Sequence, residues 1–225
     1  MFALTLFCDP GPATVPAPEL TTAREAVRRV PGLAGAFLFT PASARDQYVD
    51  DGAAPPFGLQ LHFKRLEVLE AAADAVQGVL ALLPSLDGVP MTAQAFWRRT
   101  WQVPDSAVQT EPGALPCSYV VHYPGPASDV NAWHDHYMTG HPPLFQRFPS
   151  IRGIEILTPV EWVSRLAIPK VHHMQRNRVM FDSAEALTAA LQSPVRHDLR
   201  ADFHTLPPFE GGNFHYPMWT DMVRP

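Results

Sequence analysis

Three histidines crowd one short run, "AWHDHYMTGHPPLFQRF" at 132–148: His134, His136 and His141. An imidazole with a pKa near ~6.5 is the natural acid–base group at neutral pH, and it is also a common metal ligand. Helical spacing separates the two uses. At about 100° per residue, Val130, His134, Tyr137, His141, Leu144 and Phe148 share one stripe, and Asp135, His136, Gln146 and Arg147 lie opposite. His136 is then a solvated residue, while His134, Tyr137 and His141 point inward. Gly140 can end a helix, and Pro142-Pro143 fit the first turn of a restarted one. That predicts a break at His141, beside a gap in regular packing. Proton transfer suits this pattern. His141 would shuttle the proton, and Tyr137 or His134 would bind a carbonyl or phenol oxygen. Trp133, Phe145 and Tyr119 would wall a ring-bearing substrate.

A metal site fits less well. His134 and His136 face different ways on a helix, and His134 and His141 lie about two turns apart. His172, His173, His204 and His215 follow no zinc spacing. No metal and no cofactor are expected; a haem held by one histidine, or a metal, is the alternative. No Gly-rich phosphate loop, nucleophile elbow or CxxC is present.

The elements that must position these residues come in two sets. "VPGLAGAFLFTP" at 30–41 matches "FPSIRGIEILTP" at 148–159, 118 positions on. Phe63, Glu67 and Leu69 recur as Phe181, Glu185 and Leu187, and Phe96 and Trp101 as Phe214 and Trp219. "PGPA" at 10–13 recurs at 124–127, which implies four extra residues in the second copy. We read a tandem repeat. Each copy follows the order βαββαβ. Copy one has strands 2–8, 34–39, 58–64 and 95–103, with helices 18–30 and 65–83. Copy two has strands 117–123, 151–158, 174–181 and 213–219, with helices 129–148 and 183–192. Asp129 or Ser128 would cap the first helix of copy two, and Asp182 or Ser183 the second. This is the split-βαβ, ferredoxin-like plan. The predicted fold is α+β: two ferredoxin-like units, 1–108 and 114–225, joined near 104–115. Their antiparallel sheets would cover each other's apolar faces within one chain.

Copy one serves as an internal control. Ala23 stands at the position of His141, and Glu19 at that of Tyr137, so the architecture does not require the histidine. Phe37 becomes Glu155 and Leu59 becomes Asn177. On adjacent strands this polar pair could face one cavity and touch substrate. Alternatively, Glu155 pairs with an arginine such as Arg178.

Composition narrows the classes. The chain has 225 residues, 46% hydrophobic and 17% charged, enough to bury a core. A net charge of −5 argues against a general nucleic-acid binder. Cys8 and Cys117 lie on apolar strands and form no disulfide framework. The opening "MFALTLFCDP" lacks a basic leader and reads as a first strand. No apolar run approaches the ~20 residues of a membrane span. A cytoplasmic protein with no membrane partner is expected.

His141-Pro142-Pro143-Leu144, preceded by Trp133 or Tyr137 and followed by Pro149-Ser150 into a strand, resembles the EthD family of the dimeric α+β barrel proteins. The fold-level resemblance spans nearly the whole chain; the His-x-Pro-Leu motif is confined to copy two. It implies a barrel of two ferredoxin-like units, here fused, and allows a homodimer of the two-repeat chain. It also implies a cofactor-free enzyme acting on a hydrophobic small molecule: an isomerase, cyclase, dehydratase or oxygenase in a catabolic or polyketide-like pathway. A non-catalytic ligand-binding or accessory protein is the alternative.

Overall fold

The computed structural model describes residues 1–225. Eight strands form one closed barrel: β1 (Phe2–Cys8), β2 (Leu33–Pro41), β3 (Gly58–Phe63), β4 (Met91–Trp101), β5 (Cys117–Tyr123), β6 (Gly153–Pro159), β7 (Gln175–Phe181) and β8 (Phe214–Val223). The strand order is β1-β3-β2-β8-β5-β7-β6-β4, antiparallel throughout. Each half contributes four neighbouring strands in the same internal order, and β2–β8 and β4–β6 pair across the halves. Closure removes every free sheet edge. Six helices pack outside: α1 (Ala17–Val27), α2 (Leu66–Ala71), α3 (Ala73–Leu80), α4 (Val130–Phe145), α5 (Ala184–Leu191) and α6 (Val195–Phe203).

Period-2 alternation sends each strand's residues to two different environments. The outer face of the first half places Leu4, Leu6, Leu38, Leu59 and Leu61 against α1–α3. That of the second half places Tyr119, Val121, Ile154, Ile156 and Val179 against α4–α6. In the middle strands the register of the two halves is equivalent at the offset of 118: Ala36 lies opposite Leu61, as Ile154 lies opposite Val179. It drifts in the outer strands. Leu4 opposite Leu61 matches Tyr119 opposite Val179, an offset of 115 (119 − 4). Ala95 opposite Leu4 matches Pro217 opposite Tyr119, an offset of 122 (217 − 95). Phe96 and Trp101 therefore do not occupy the places of Phe214 and Trp219, because the connections differ in length.

Two further expectations change. Helix α4 runs unbroken through Gly140, Pro142 and Pro143. The prolines remove two internal N–H donors but leave the helix continuous; Gln146 N–H bonds to the Pro142 carbonyl. The buried face also turns slightly from the predicted stripe, to Trp133, Tyr137, His141 and Phe145, leaving Val130 exposed. Asp129 caps α4 through the Ala132 N–H, and Ser183 caps α5 through the Ala186 N–H. In copy one the predicted helix 65–83 divides into α2 and α3 at Ala72.

The lumen corrects the expectation of two apolar faces. Phe7, Phe39, Phe96, Leu157 and Met218 do point there, but so do Thr5, Gln60, His62, His122, Glu155, Arg176 and Arg178, all buried.

Candidate functional site

The second half holds a cavity of about 80 Å³ between its sheet and α4–α6. Tyr119 on β5, Asn177 on β7, His141 and Phe145 on α4, Arg196 and Phe203 on α6, and His215 on β8 are among its walls. Most of the lining is apolar.

His141 is the site's titratable centre. It is 5% exposed, and its ring lies between Tyr137, with centroids 4.5 Å apart, and the edge of Phe145 at 5.4 Å. Its Nδ1 bonds to the Asp202 carboxylate on α6. Gly140 makes that contact possible: a Cβ there would overlap Asp202 Oδ1 and stand 3.1 Å from its Cγ. So the glycine serves close approach between two helices, not helix termination. Burial lowers the His141 pKa from its ordinary value, against the opposing pull of the Asp202 hydrogen bond and charge. The His141 hydrogen bond in turn lowers the Asp202 pKa. At neutral pH this leaves an ionised carboxylate accepting Nδ1–H from a neutral imidazole. The other ring nitrogen, Nε2, is then a proton acceptor, the arrangement of a histidine base with an orienting carboxylate.

Behind His141 runs a chain of polar contacts. Trp133 stacks on Tyr137 with ring centroids 5.1 Å apart. Asn177 donates its amide to the Tyr137 hydroxyl, and Gln175 donates to Asn177 Oδ1 at 2.8 Å. Burial raises the Tyr137 and Tyr119 hydroxyl pKa values, keeping both phenols protonated.

A segment of the first half covers this cavity. Residues 42–57, between β2 and β3, border an adjoining groove of about 690 Å³, which shares Val49, Tyr119 and His215 with the cavity. Asp46 bonds to the Tyr119 hydroxyl at 3.0 Å and to Arg196 Nε at 2.9 Å. The Tyr48 hydroxyl meets His197, and the Arg200 guanidinium lies 4.5 Å from the Tyr48 ring centroid. Asp51 accepts from His215 at Nδ1 and at the backbone N–H, both at 2.8 Å.

His141, Tyr119, Phe145 and Asn177 thus meet in one cavity, with Tyr137 and Trp133 packed immediately behind. His134 does not join them: it is half-buried and bonds to the Met174 carbonyl at 3.2 Å. Glu155 corrects the pairing with Asn177. Register sets Glu155 opposite Arg178 and Ile156 opposite Asn177, so the two side chains leave the sheet on opposite faces. In the lumen Glu155 is held by Arg98, by Arg178 at 2.8 Å and by Gln60 at 2.9 Å. No group of three His, Cys, Asp or Glu side chains is placed to hold a metal ion, and no helix is long and apolar enough to cross a membrane.

Sequence reasoning missed Asp202, Arg196, His215 and the covering segment. Helix α6 takes the place that α3 takes in the first half, packed on that half's first helix, but the predicted second helix of copy two ends at 192 and leaves residues 195–203 unassigned. Two signals were present: Val195, Leu199 and Phe203 repeat every four residues, and a glycine inside α4 marks a close neighbour.

Closed around two four-stranded units, this is the barrel of the dimeric α+β barrel proteins, formed here by a single chain. An anthrone oxidase-like protein matches at TM-score 0.60 and 12% identity, covering 99% of this chain and 92% of that one. A provisionally named monooxygenase from Fusobacterium nucleatum matches at TM-score 0.60 and 7% identity, covering 99% and 94%. Another from Lactobacillus acidophilus matches at TM-score 0.53 and 7% identity, covering 99% and 95%. At these identities the likeness is one of fold. No family model and no curated protein matches the sequence.

Proposed function

We propose that this chain is an EthD-like small-molecule enzyme in which His141 moves a proton on a hydrophobic, ring-bearing carbonyl or phenol. The observation that supports it is the His141–Asp202 pair on the wall of a mostly apolar cavity. Asp202 fixes the tautomer, and Nε2 accepts a proton from a C–H beside a carbonyl or from a phenolic O–H. The Asn177 and Asn213 amides and the Arg196 and Arg200 side chains are among the polar groups lining the cavity for the substrate oxygen, and the Tyr119 hydroxyl joins them when Asp46 withdraws. The resulting carbanion or phenolate is the common entry to isomerisation, elimination or attack on dioxygen. The names of the fold neighbours, an anthrone oxidase-like protein and two monooxygenases, favour the oxidative branch.

The cavity of about 80 Å³ is smaller than the ~150 Å³ that holds one benzene ring. Substrate entry therefore requires residues 42–57 to withdraw and join the cavity to its neighbouring groove. A ligand screen tests the reading. Anthrone, simple naphthols and aryl ketones are titrated while the His141 imidazole signals are followed by NMR. Saturable shifts at His141, with faster amide exchange over 42–57 during entry, are expected. Shifts confined to surface histidines such as His172 would refute the site.

A further inference from the structure

We propose that the barrel lumen contains a second site, for a small oxyanion, built around Arg176. This site is separate from the His141 cavity: Arg176 and Asn177 are neighbours on β7 and leave the sheet on opposite faces.

Arg176 is among the most deeply buried side chains of the protein, at 2% exposure. No carboxylate answers its charge. Its one hydrogen bond runs from a terminal guanidinium nitrogen to the Thr5 hydroxyl at 3.0 Å, and its Nε is buried without a partner. Glu155 is the acidic residue buried in the lumen, and Arg98 and Arg178 already hold it. A buried guanidinium left unpaired is costly. The Phe7 and Phe96 rings, 4.9 Å and 5.7 Å from its central carbon, offset this in part. They leave the in-plane N–H groups of the guanidinium unanswered.

The surroundings match an anion rather than a missing cation partner. His122 faces the same lumen directly across from Arg176 in the β5–β7 register, and its Nε2 is buried without a partner. The His173 ring lies 5.5 Å from that of His122, and its Nδ1 is likewise buried and unpartnered. The Tyr216 ring lies 5.3 Å from that of His122. Burial pushes the Arg176 guanidinium down to about 9, still charged at neutral pH, and it lowers the His122 and His173 pKa values. Neutral imidazoles can each turn one N–H towards an oxyanion. A fixed cation, two unanswered imidazole nitrogens and a phenol make a donor-rich end of the lumen with no carboxylate in it. A carboxylate or an inorganic phosphate supplies that acceptor. His173 is half-buried just before β7, which places this end of the lumen near solvent.

The test follows thermal unfolding of the full chain at constant ionic strength while acetate or phosphate replaces chloride. A saturable rise in Tm is expected, with acetate if the ligand is a carboxylate and with phosphate if it is inorganic. Arg176→Met should abolish the response and, in chloride alone, unfold no earlier than the wild type, because it removes an unpaired charge. If Arg176→Met does not fold, Arg176→Lys keeps the charge without the planar fork and should weaken the half-saturating concentration about tenfold. A wild type indifferent to both anions, or variants that respond as the wild type does, would overturn the site.

Discussion

Asp202 sets a carboxylate oxygen on Nδ1 of His141 through the space that a side chain at residue 140 would fill. The pairing joins α4 to α6 and turns a buried histidine into an oriented base. Asp202 also opposes the effect of burial on His141. Gly140→Ala should therefore push the carboxylate away and lower the His141 pKa further. The same change favours helix formation by about 1 kcal/mol in an exposed helix; here the overlap with Asp202 should cancel that gain. An NMR titration of the imidazole and a urea melt read both effects.

The covering segment should open when its buried anchor is removed. Asp46 joins Tyr119 and Arg196 beneath residues 42–57. Asp46→Ala leaves the mostly buried Arg196 guanidinium unpaired, at a cost of about 2–4 kcal/mol. Hydrogen exchange should rise most in 42–57 and around α6. Uniform exchange over the whole barrel would show that the segment does not move as a separate unit.

Glu155 provides the contrasting case. It holds two arginines in the lumen, on the sheet face opposite to Asn177 and the His141 cavity. Glu155→Gln should cost about 3–5 kcal/mol by leaving those charges uncompensated. Ligand shifts at His141 should persist in whatever fraction remains folded. Loss of those shifts in folded protein would place Glu155 back in the site.

Acid should destabilise the protein well before its carboxylates titrate. Burial pushes His62 and His173 down to about 3, and lowers His122 and His141. Their unfolded forms take up protons below pH ~6.5 more readily than the folded forms, so stability falls as pH drops through that value. Between pH 6.5 and 5 the loss approaches about 2 kcal/mol for each fully shielded histidine. Glu155, held below the usual carboxylate range by Arg178 and Arg98 despite its burial, adds a loss of the same sign below pH ~4.5. Denaturant melts from pH 7.5 to 4.5 should show a continuous fall. A flat profile down to pH 5 would mean these imidazoles are solvated or charged in the native state.

The fold was legible because β2–β3 and β6–β7 share register and turn chemistry. Pro31-Gly32 and Pro149-Ser150 put left-handed residues at matching places, with φ of 70° at Gly32 and 57° at Ser150. The inward direction of Tyr137 and His141 was legible from helical spacing. Asp202 was not, since it reaches His141 from 61 residues away, on a helix that lies beyond residue 192, where the predicted second helix of that half ends. The Glu155–Asn177 pairing failed because adjacency of strands says nothing about parity until the register is known. The polar lumen was hidden for a related reason: β3, "GLQLHF", and β7, "QRNRVMF", are buried on both faces, so alternation there does not separate core from solvent.

The most direct measurement is the rate at which the wild type exchanges the acidic C10 hydrogens of anthrone into D₂O, against His141→Gln and Asp202→Asn. An acid–base His141 predicts saturable exchange in the wild type that follows a single deprotonation below pH ~6.5. It should fall by ~10²-fold or more in His141→Gln and by less in Asp202→Asn, where the imidazole remains but loses its orienting partner. Anthrone that binds and shifts the His141 signals, yet exchanges equally with all three proteins, would contradict catalysis by His141 and leave a ligand-binding protein in its place.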